Sequence, residues 1–230
     1  MLKTFQTLSN SRDFLQSFGD LFEIYVGEIL KRYFGEDKVI NLNDYFKLKT
    51  NNKKQSKIAD WLIDIDNSIF IFECKSQLLP VKVKQTFNKT FFDTWSINVF
   101  QKGSSQLEST VQLLQKDDSY QGKQIFKFIV LNENLYLAEN LIFKDLIMSR
   151  IPKENSNFYT ITIQELELLE VPIKKFGMHK IMAEKQDVDK RNRPEEGQSF
   201  IHICKNIGSI ELKNSWVEET YHNFFDQYNI

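Results

Sequence analysis

The stretch that decides the fold is IADWLIDIDNSIFIFECK, at residues 58–75. Two apolar runs, at 58–65 and 69–75, flank the turn-forming residues 66–68, and this pattern predicts a β-hairpin. The second run is apolar on both faces up to Phe72, which is typical of a central strand. Charged side chains follow it at once, although unpaired charge is costly in a buried strand. The hairpin is therefore predicted to lie in the middle of a sheet and to carry a charged site.

Three charged residues of the hairpin are predicted to share one face. Side chains alternate between the faces of a strand, so Glu73 and Lys75 point the same way. A turn at residues 66–67 would pair Asp60 with Glu73, and a turn at 67–68 would pair Asp60 with Lys75. All three lie on one face in either register. The alternative is a solvated cross-strand pair with no chemistry, which is ordinary at a strand end.

Two carboxylates that converge on one face suit a hard divalent cation. Mg²⁺ binds oxygen ligands in octahedral geometry, and Mn²⁺ accepts the same ligands. The backbone carbonyl of Cys74 would add a third oxygen beside Asp60 and Glu73. A lysine next to such an ion can orient a water molecule or offset charge that builds on a phosphate. The predicted cofactor is therefore Mg²⁺, with Mn²⁺ as a substitute.

The rest of the chain predicts an α/β fold. Hydrophobic periodicity indicates a helix at 12–34, a strand at 39–45, a helix at 102–116, a strand at 124–133 and a strand followed by a helix at 158–170. This order predicts a central mixed sheet of four or five strands that is flanked by helices. We divide the chain into a domain at 1–170 and a C-terminal helical extension at 171–230.

Aromatic side chains are predicted to form much of the core. The helix at 12–34 has one apolar stripe, made of Phe18, Phe22, Val26, Ile29 and Tyr33. Trp61, Trp95 and the pair Phe91–Phe92 are also expected to be buried.

These motifs, in this order, resemble the PD-(D/E)xK nuclease superfamily, which includes restriction endonucleases, Mrr-like enzymes and Holliday-junction resolvases. The match is Asp60 in ADWLI and Glu73-Cys74-Lys75 in FECKS, with Ala59 in place of the usual Pro. The resemblance covers about residues 12–170. It implies a restriction endonuclease-like core in which Asp60, Glu73 and Lys75 are catalytic.

Two further residues belong to the same resemblance. Many members carry a Glu on the first helix in a Gly-x-x-x-Glu arrangement, and GDLFE matches with Glu23. Glu28 in the similar IYVGEIL is the alternative. Several branches place a Gln on the helix after the Lys strand, where KGSSQLE offers Gln106. Lys102 before it is expected to contact phosphate, although any of these residues can also be plain helix surface.

The resemblance implies an endonuclease that hydrolyses DNA phosphodiester bonds, in restriction or antiphage defence. The alternative is a catalytically weak or partner-dependent subunit that binds or scaffolds nucleic acid with the same fold. A third hypothesis is that the substrate is RNA. The expected partner is DNA, together with a second copy of the chain or a partner subunit.

Charge is unevenly distributed along the chain. The formal net charge is −1, which is unusual for a general nucleic-acid binder. Residues 45–103 contain ten Lys and five acidic residues, a net of +5, which leaves −6 for the rest. Lys53, Lys54 and Lys57 lie in this segment, just before the hairpin. They are expected to approach the phosphate backbone, with simple solvation as the alternative.

Composition excludes several other classes of protein. The two cysteines, Cys74 and Cys204, form no CxxC, and the three histidines are scattered, so a zinc site is not expected. A disulfide framework is equally unexpected, which favours a reducing cytoplasm. The first residues lack the apolar run of a signal peptide, and no stretch reaches a membrane span.

Overall fold

The structure is a computed structural model that describes residues 11–49, 57–134, 141–191, 199–208 and 212–220. The chain divides into two compact units. The first unit is Met1–Glu133 with Asp145–Thr160, and the second is Asn134–Lys144 with Ile161–Ile230. The domain boundary at residue 170 stays a prediction.

The core is a mixed five-stranded sheet of order β1-β2-β3-β4-β5. Its strands are β1 (Val39–Asn41), β2 (Trp61–Ile65), β3 (Ser68–Lys75), β4 (Gln124–Leu131) and β5 (Tyr159–Thr162). The pairs β1–β2 and β2–β3 are antiparallel, whereas β3–β4 is parallel. The predicted α/β class and strand number are confirmed, and the apolar strand β3 is central as predicted.

The hairpin adopts the first of the two registers derived from the sequence. Ile65 pairs with Ser68, so the turn is Asp66–Asn67. Asp66 has a left-handed φ of +52°, which Asp tolerates better than most residues. Asp60 directly precedes β2, and its N–H donates to the carbonyl of Phe72 over 3.0 Å. Asp60 therefore lies beside the end of β3.

The first unit contains several helices in addition to the sheet. They are α1 (Ser11–Phe34), α2 (Leu42–Lys49), α3 (Val81–Thr86), α4 (Lys89–Ser96) and α5 (Lys102–Leu114), and a further helix, α6 (Leu141–Met148), spans the boundary of the units. A π-helical turn at Ile97–Gln101 joins α4 to α5. Because Trp61 pairs with Phe72 and packs on α1, that helix covers the Trp61 face. Helix α5 covers the opposite face, where Gly103 approaches Lys75 and Ile129.

Two local predictions were wrong in part. The strand expected at 39–45 ends at Asn41 because α2 begins at Leu42. The side chain of Asn41 accepts from the N–H of Asp44 over 3.1 Å, which is helix-start chemistry that a strand pattern hides. On α1, four residues of the apolar stripe are buried, but Phe18 is 36% exposed.

Trp61 holds α1 against β2. Its indole N–H donates to the carbonyl of Glu23 over 3.0 Å, and its ring lies over Gly27. A Cβ at Gly27 would fall 2.1 Å from the Cζ2 atom of the ring, which is far inside van der Waals contact. The ammonium of Lys31 is 5.7 Å from the ring centroid. Glycine at position 27 is therefore what allows the helix and the strand to approach so closely.

We expect Gly27→Ala to destabilise the protein. Alanine favours a helix over glycine by up to about 1 kcal/mol, but overpacking of this kind costs about 1–3 kcal/mol or more. Thermal unfolding should therefore move down by a few degrees, at about 2–4 °C per kcal/mol.

Gly19→Ala on the same helix is the matched control. A Cβ there meets only the Ser76 hydroxyl, at 3.5 Å. This variant should gain roughly 0.5–1 kcal/mol from helix propensity alone. Equal melting temperatures for the two variants would show that the Trp61 contact does not constrain α1.

The second unit is helical in most of its described residues. Its helices are α7 (Ile163–Leu168), α8 (Glu170–Phe176), α9 (Met178–Arg191), α10 (Phe200–Asn206) and a last one at 215–220. Thr162 and Glu165 form a capping box, and Glu165 also accepts from the N–H of Phe200 over 3.0 Å. Glu170 accepts from the N–H and hydroxyl of Ser215, which fixes the start of the last helix. Residues 221–230 of the predicted C-terminal helical extension lie outside the described residues.

No described helix combines the length and the apolar character needed to cross a membrane.

Candidate active site

Asp60 lies at the open end of the hairpin and contacts the backbone of β3. Its Oδ2 accepts from the N–H of Cys74 over 2.7 Å. Burial, and then the negative charge of Glu23, raise the pKa of Asp60 to about 7. The Cys74 thiol also hydrogen bonds with this carboxylate. Burial and the nearby carboxylates raise the pKa of Cys74 well above its usual range, which favours the protonated thiol over the nucleophilic thiolate.

Glu73 is buried with only one of its two oxygens paired. The residue is 2% exposed, and its Oε1 accepts from Lys75 Nζ over 2.6 Å. Its Oε2 has no hydrogen-bond partner among the described residues. Burial, followed by the charge of Asp60, raises the pKa of Glu73 well above its usual range although Lys75 opposes this shift. A buried oxygen without a donor is costly and indicates a place for a ligand.

Lys75 is held between a strand and a helix. Its Nζ donates to Gln106 Oε1 over 2.9 Å, in addition to Glu73. The amide of Gln106 in turn donates to the carbonyl of Ile58 over 3.1 Å. A Cβ at Gly103 would lie 3.2 Å from Lys75 Cε, so glycine leaves room for the lysine to pass. The predicted helix with Gln106 is confirmed, and it fixes the ammonium in one place.

Glu23 reaches the same cluster from α1, and Glu28 does not. The negative charge of Glu23 contributes to the raised pKa of both Asp60 and Glu73, so Glu23 is near enough to interact with both carboxylates electrostatically. Burial raises the pKa of Glu23 itself, although hydrogen bonds with Asn41 and Asn43 oppose the shift. Glu28 is 47% exposed and pairs with Lys31 over 2.9 Å. The geometry therefore favours Glu23 over its alternative.

The other charged residues of the region lie around the cluster or away from it. Asp64, on β2, pairs with Lys123. Lys57 is exposed and directly precedes Ile58, which accepts from Gln106. Lys102 is exposed one helical turn before Gln106 and donates to Asn98 over 2.5 Å. Lys53 and Lys54 lie outside the described residues, so their phosphate contacts stay a prediction.

The donor atoms available at this site are oxygens. Across the described ranges, no group of three or more His, Cys, Asp or Glu side chains is arranged to hold a metal ion by itself. Asp60 and Glu73 would therefore need the carbonyl of Cys74 and water to complete a coordination sphere. Such mixed sets are usual for Mg²⁺, which retains several waters. The unpaired Glu73 Oε2 fits this donor set.

Three supporting residues were not predicted from the sequence. Gly103 makes room for Lys75, whereas Asn41 and Asn43 hold the Glu23 carboxylate. Gly103 precedes Gln106 by three residues, a spacing that puts both on one helix face and was available as a signal. No sequence pattern indicated the roles of Asn41 and Asn43, because their approach to α1 depends on where β1 ends.

Compared with known proteins, the chain matches no family model, no curated protein and no solved structure.

Proposed function

We propose that the chain is a metal-dependent endonuclease with a restriction endonuclease-like core, and that it hydrolyses phosphodiester bonds in DNA. The observation that carries the proposal is the grouping of Asp60, Glu73 and Lys75 at the end of a central hairpin. The Lys75 ammonium donates to the buried carboxylate of Glu73 and to the side-chain amide oxygen of Gln106. This is the order and geometry that the PD-(D/E)xK resemblance implies.

Asp60, Glu73 and the Cys74 carbonyl would hold Mg²⁺ or Mn²⁺. The ion, when bound, polarises the phosphate and lowers the pKa of bound water. The carboxylates are suited to this because both lie in a buried site where they repel each other. A cation relieves that repulsion and supplies a partner for Glu73 Oε2. Removal of either carboxylate should therefore weaken metal binding.

Lys75 acts on the substrate in this proposal. Its ammonium keeps a hydrogen-bond donor and a positive charge at the edge of the site, next to the place of the phosphate. Charge that builds on the phosphate in the transition state is stabilised by such a preorganised donor. Gln106 and Gly103 are positioning residues, because they set where the ammonium lies. Glu23 adds negative charge near the proposed metal ligands, and it would adjust their charge or bind a second ion.

A second candidate function is a nucleic-acid-binding or scaffolding module without turnover. The observation that favours it is the closed Lys75–Glu73 ion pair at 2.6 Å, which balances the buried charge of that carboxylate without a cation. The net charge of −1 agrees with a module that needs a partner protein. The unpaired Glu73 Oε2 and the further carboxylate of Asp60 count against it.

The two functions are separated by one cleavage experiment. Purified protein is incubated with supercoiled plasmid, linear duplex, single-stranded and branched DNA, and with RNA, in Mg²⁺, Mn²⁺ or EDTA. We expect new DNA ends with either metal and none in EDTA. Binding without cleavage in every metal condition would favour the scaffolding module. Cleavage that persists in EDTA would contradict the proposed metal chemistry.

A further inference from the structure

The segment that follows Lys75 exposes aromatic rings among lysines. Phe87 is 49% exposed between α3 and α4, and Phe91 on α4 is 42% exposed. The Lys82 ammonium lies 4.8 Å from the centroid of the Phe91 ring. Phe91 was predicted to be buried together with Phe92, and for Phe91 that prediction was wrong. We call Lys82, Phe87, Lys89 and Phe91 the α3–α4 platform.

Phe87 adopts a backbone conformation that a bulky residue rarely takes. It ends α3 with φ +47° and ψ +51°, in the left-handed region where glycine is the usual residue. This conformation is unfavourable for any residue with a Cβ. An aromatic ring that is held under strain and half in solvent is an unusual combination, and such outliers cluster at functional sites.

The platform is tied to the strand ends that carry the candidate active site. Glu133 accepts from the N–H of Leu79 over 2.8 Å and pairs with Lys84. Glu133 follows β4 by two residues, and the last residue of β4, Leu131, pairs with Lys75. The start of α3 is therefore anchored beside Lys75 and Glu73.

Buried aromatic rings support the platform from below. Phe92 is fully buried and lies 5.4 Å from Phe87, centroid to centroid. It lies 6.1 Å from Trp95, whose indole N–H donates to the carbonyl of Gln77 over 3.4 Å. Arg150 pairs with Asp93 and covers the Phe92 ring at 5.1 Å. The Phe87 ring is thus held against a packed layer, which lowers the entropy lost when a planar ligand binds.

The charge of this segment fits a polyanion. Residues 76–102 contain four lysines and one aspartate, a net of +3 in a chain of net −1. Neither Lys82 nor Lys89 has a carboxylate partner among the described residues. A flat aromatic ring beside free lysines is the arrangement that proteins use to stack the bases of a single strand while holding its phosphates.

We propose that the α3–α4 platform binds unpaired bases of a nucleic-acid strand next to the active site, with Phe91 and Phe87 stacking on bases and Lys82 and Lys89 on phosphates. The choice of nucleic acid rests on the proposed function. The platform makes the substrate class narrower: the strand is single-stranded or locally opened at the site of cleavage. Double-stranded DNA with all bases paired would use only the lysines.

The test compares two labelled probes by fluorescence anisotropy in EDTA. One is a 12-nucleotide oligothymidylate, and the other is a phosphodiester backbone of equal length that carries abasic sugars. We expect Phe91→Ala to weaken binding of the thymidylate by about fivefold or more and to leave the abasic probe unchanged. Phe91→Trp should restore binding, and Phe14→Ala, which removes an exposed ring on α1, should change neither probe.

Phe87→Gly is a second variant, and we expect it to fold. Glycine accepts the left-handed backbone without strain, which offsets the lost contact with Phe92. We expect the melting temperature to stay within a few degrees of the parent while thymidylate binding falls about fivefold or more. If the variant has the melting temperature and the thymidylate affinity of the parent, Phe87 does not contribute to binding by the platform.

Each remaining outcome decides the proposal. Equal loss on both probes, or no loss with Phe91→Ala, would overturn it. Concentration-dependent self-association that Phe91→Ala abolishes would instead assign the platform to a second copy of the chain. Because the binding assay contains no metal, Phe91-dependent binding in a protein that never cleaves would leave the platform standing and overturn the nuclease. Cleavage by a protein whose thymidylate binding does not depend on Phe91 would support the nuclease and overturn the platform.

Discussion

Asp60→Asn is expected to lower cleavage by on the order of 10³-fold or more, because it removes the charge of a proposed metal ligand while conserving the shape of the side chain. Asparagine keeps an oxygen that can accept from the N–H of Cys74, so the end of the hairpin should stay in place. Loss of one negative charge also reduces repulsion of phosphate, and DNA binding should be unchanged or tighter. The measurement is plasmid cleavage in Mg²⁺, with anisotropy for binding.

Asp64→Asn is the matched control for this variant. Asp64 belongs to the same hairpin and carries the same charge, but it lies near the turn and pairs with Lys123. The control should cleave at the rate of the parent. If Asp60→Asn cleaves as fast as Asp64→Asn, the proposed site is wrong and the scaffolding module becomes the better reading.

The shared face of Asp60, Glu73 and Lys75 was predictable because it does not depend on the exact turn. Both two-residue turns put the three residues on one side, so an error of one turn position left the prediction intact. A continuous apolar run between turn-forming residues is typical of a buried strand, and β3, at Ser68–Lys75, agrees with the run predicted at 69–75 to within one residue. Only the family resemblance predicted that Glu23 lies near Asp60 and Glu73. The position of Glu23 depends on how Trp61 packs over Gly27, and strand alternation says nothing about that contact.

Features that depend on packing between distant segments could not be predicted. An aromatic side chain is buried only if another element covers it, and the chain itself does not say that Phe92 is covered while Phe91 is not. The same reason applies to Phe18 on α1. The π-helical turn at Ile97–Gln101 has no periodic signature, although it changes which side chains of α5 face the sheet.

Lys75→Met should separate metal binding from turnover. The ammonium lies 2.6 Å from Glu73 Oε1, so it competes with a cation for that carboxylate and repels the cation directly. Its removal should therefore leave the affinity for Mn²⁺ unchanged or raise it. Cleavage should fall by roughly 10²–10³-fold, because a preorganised donor for transition-state charge is lost. Isothermal titration with Mn²⁺ and plasmid cleavage on the same preparation measure both effects.

Lys123→Met is the control, since it removes the lysine of the remote Asp64 pair and should change neither metal affinity nor rate. The methionine at position 75 also leaves Glu73 buried without a counter-ion, which destabilises the fold. Added Mn²⁺ should offset this loss by binding the freed carboxylate, so the melting temperature of Lys75→Met should rise with Mn²⁺ at least as much as that of the parent. A variant that loses metal binding together with turnover would contradict the assigned role, because the lysine would then organise the site and not act on the phosphate.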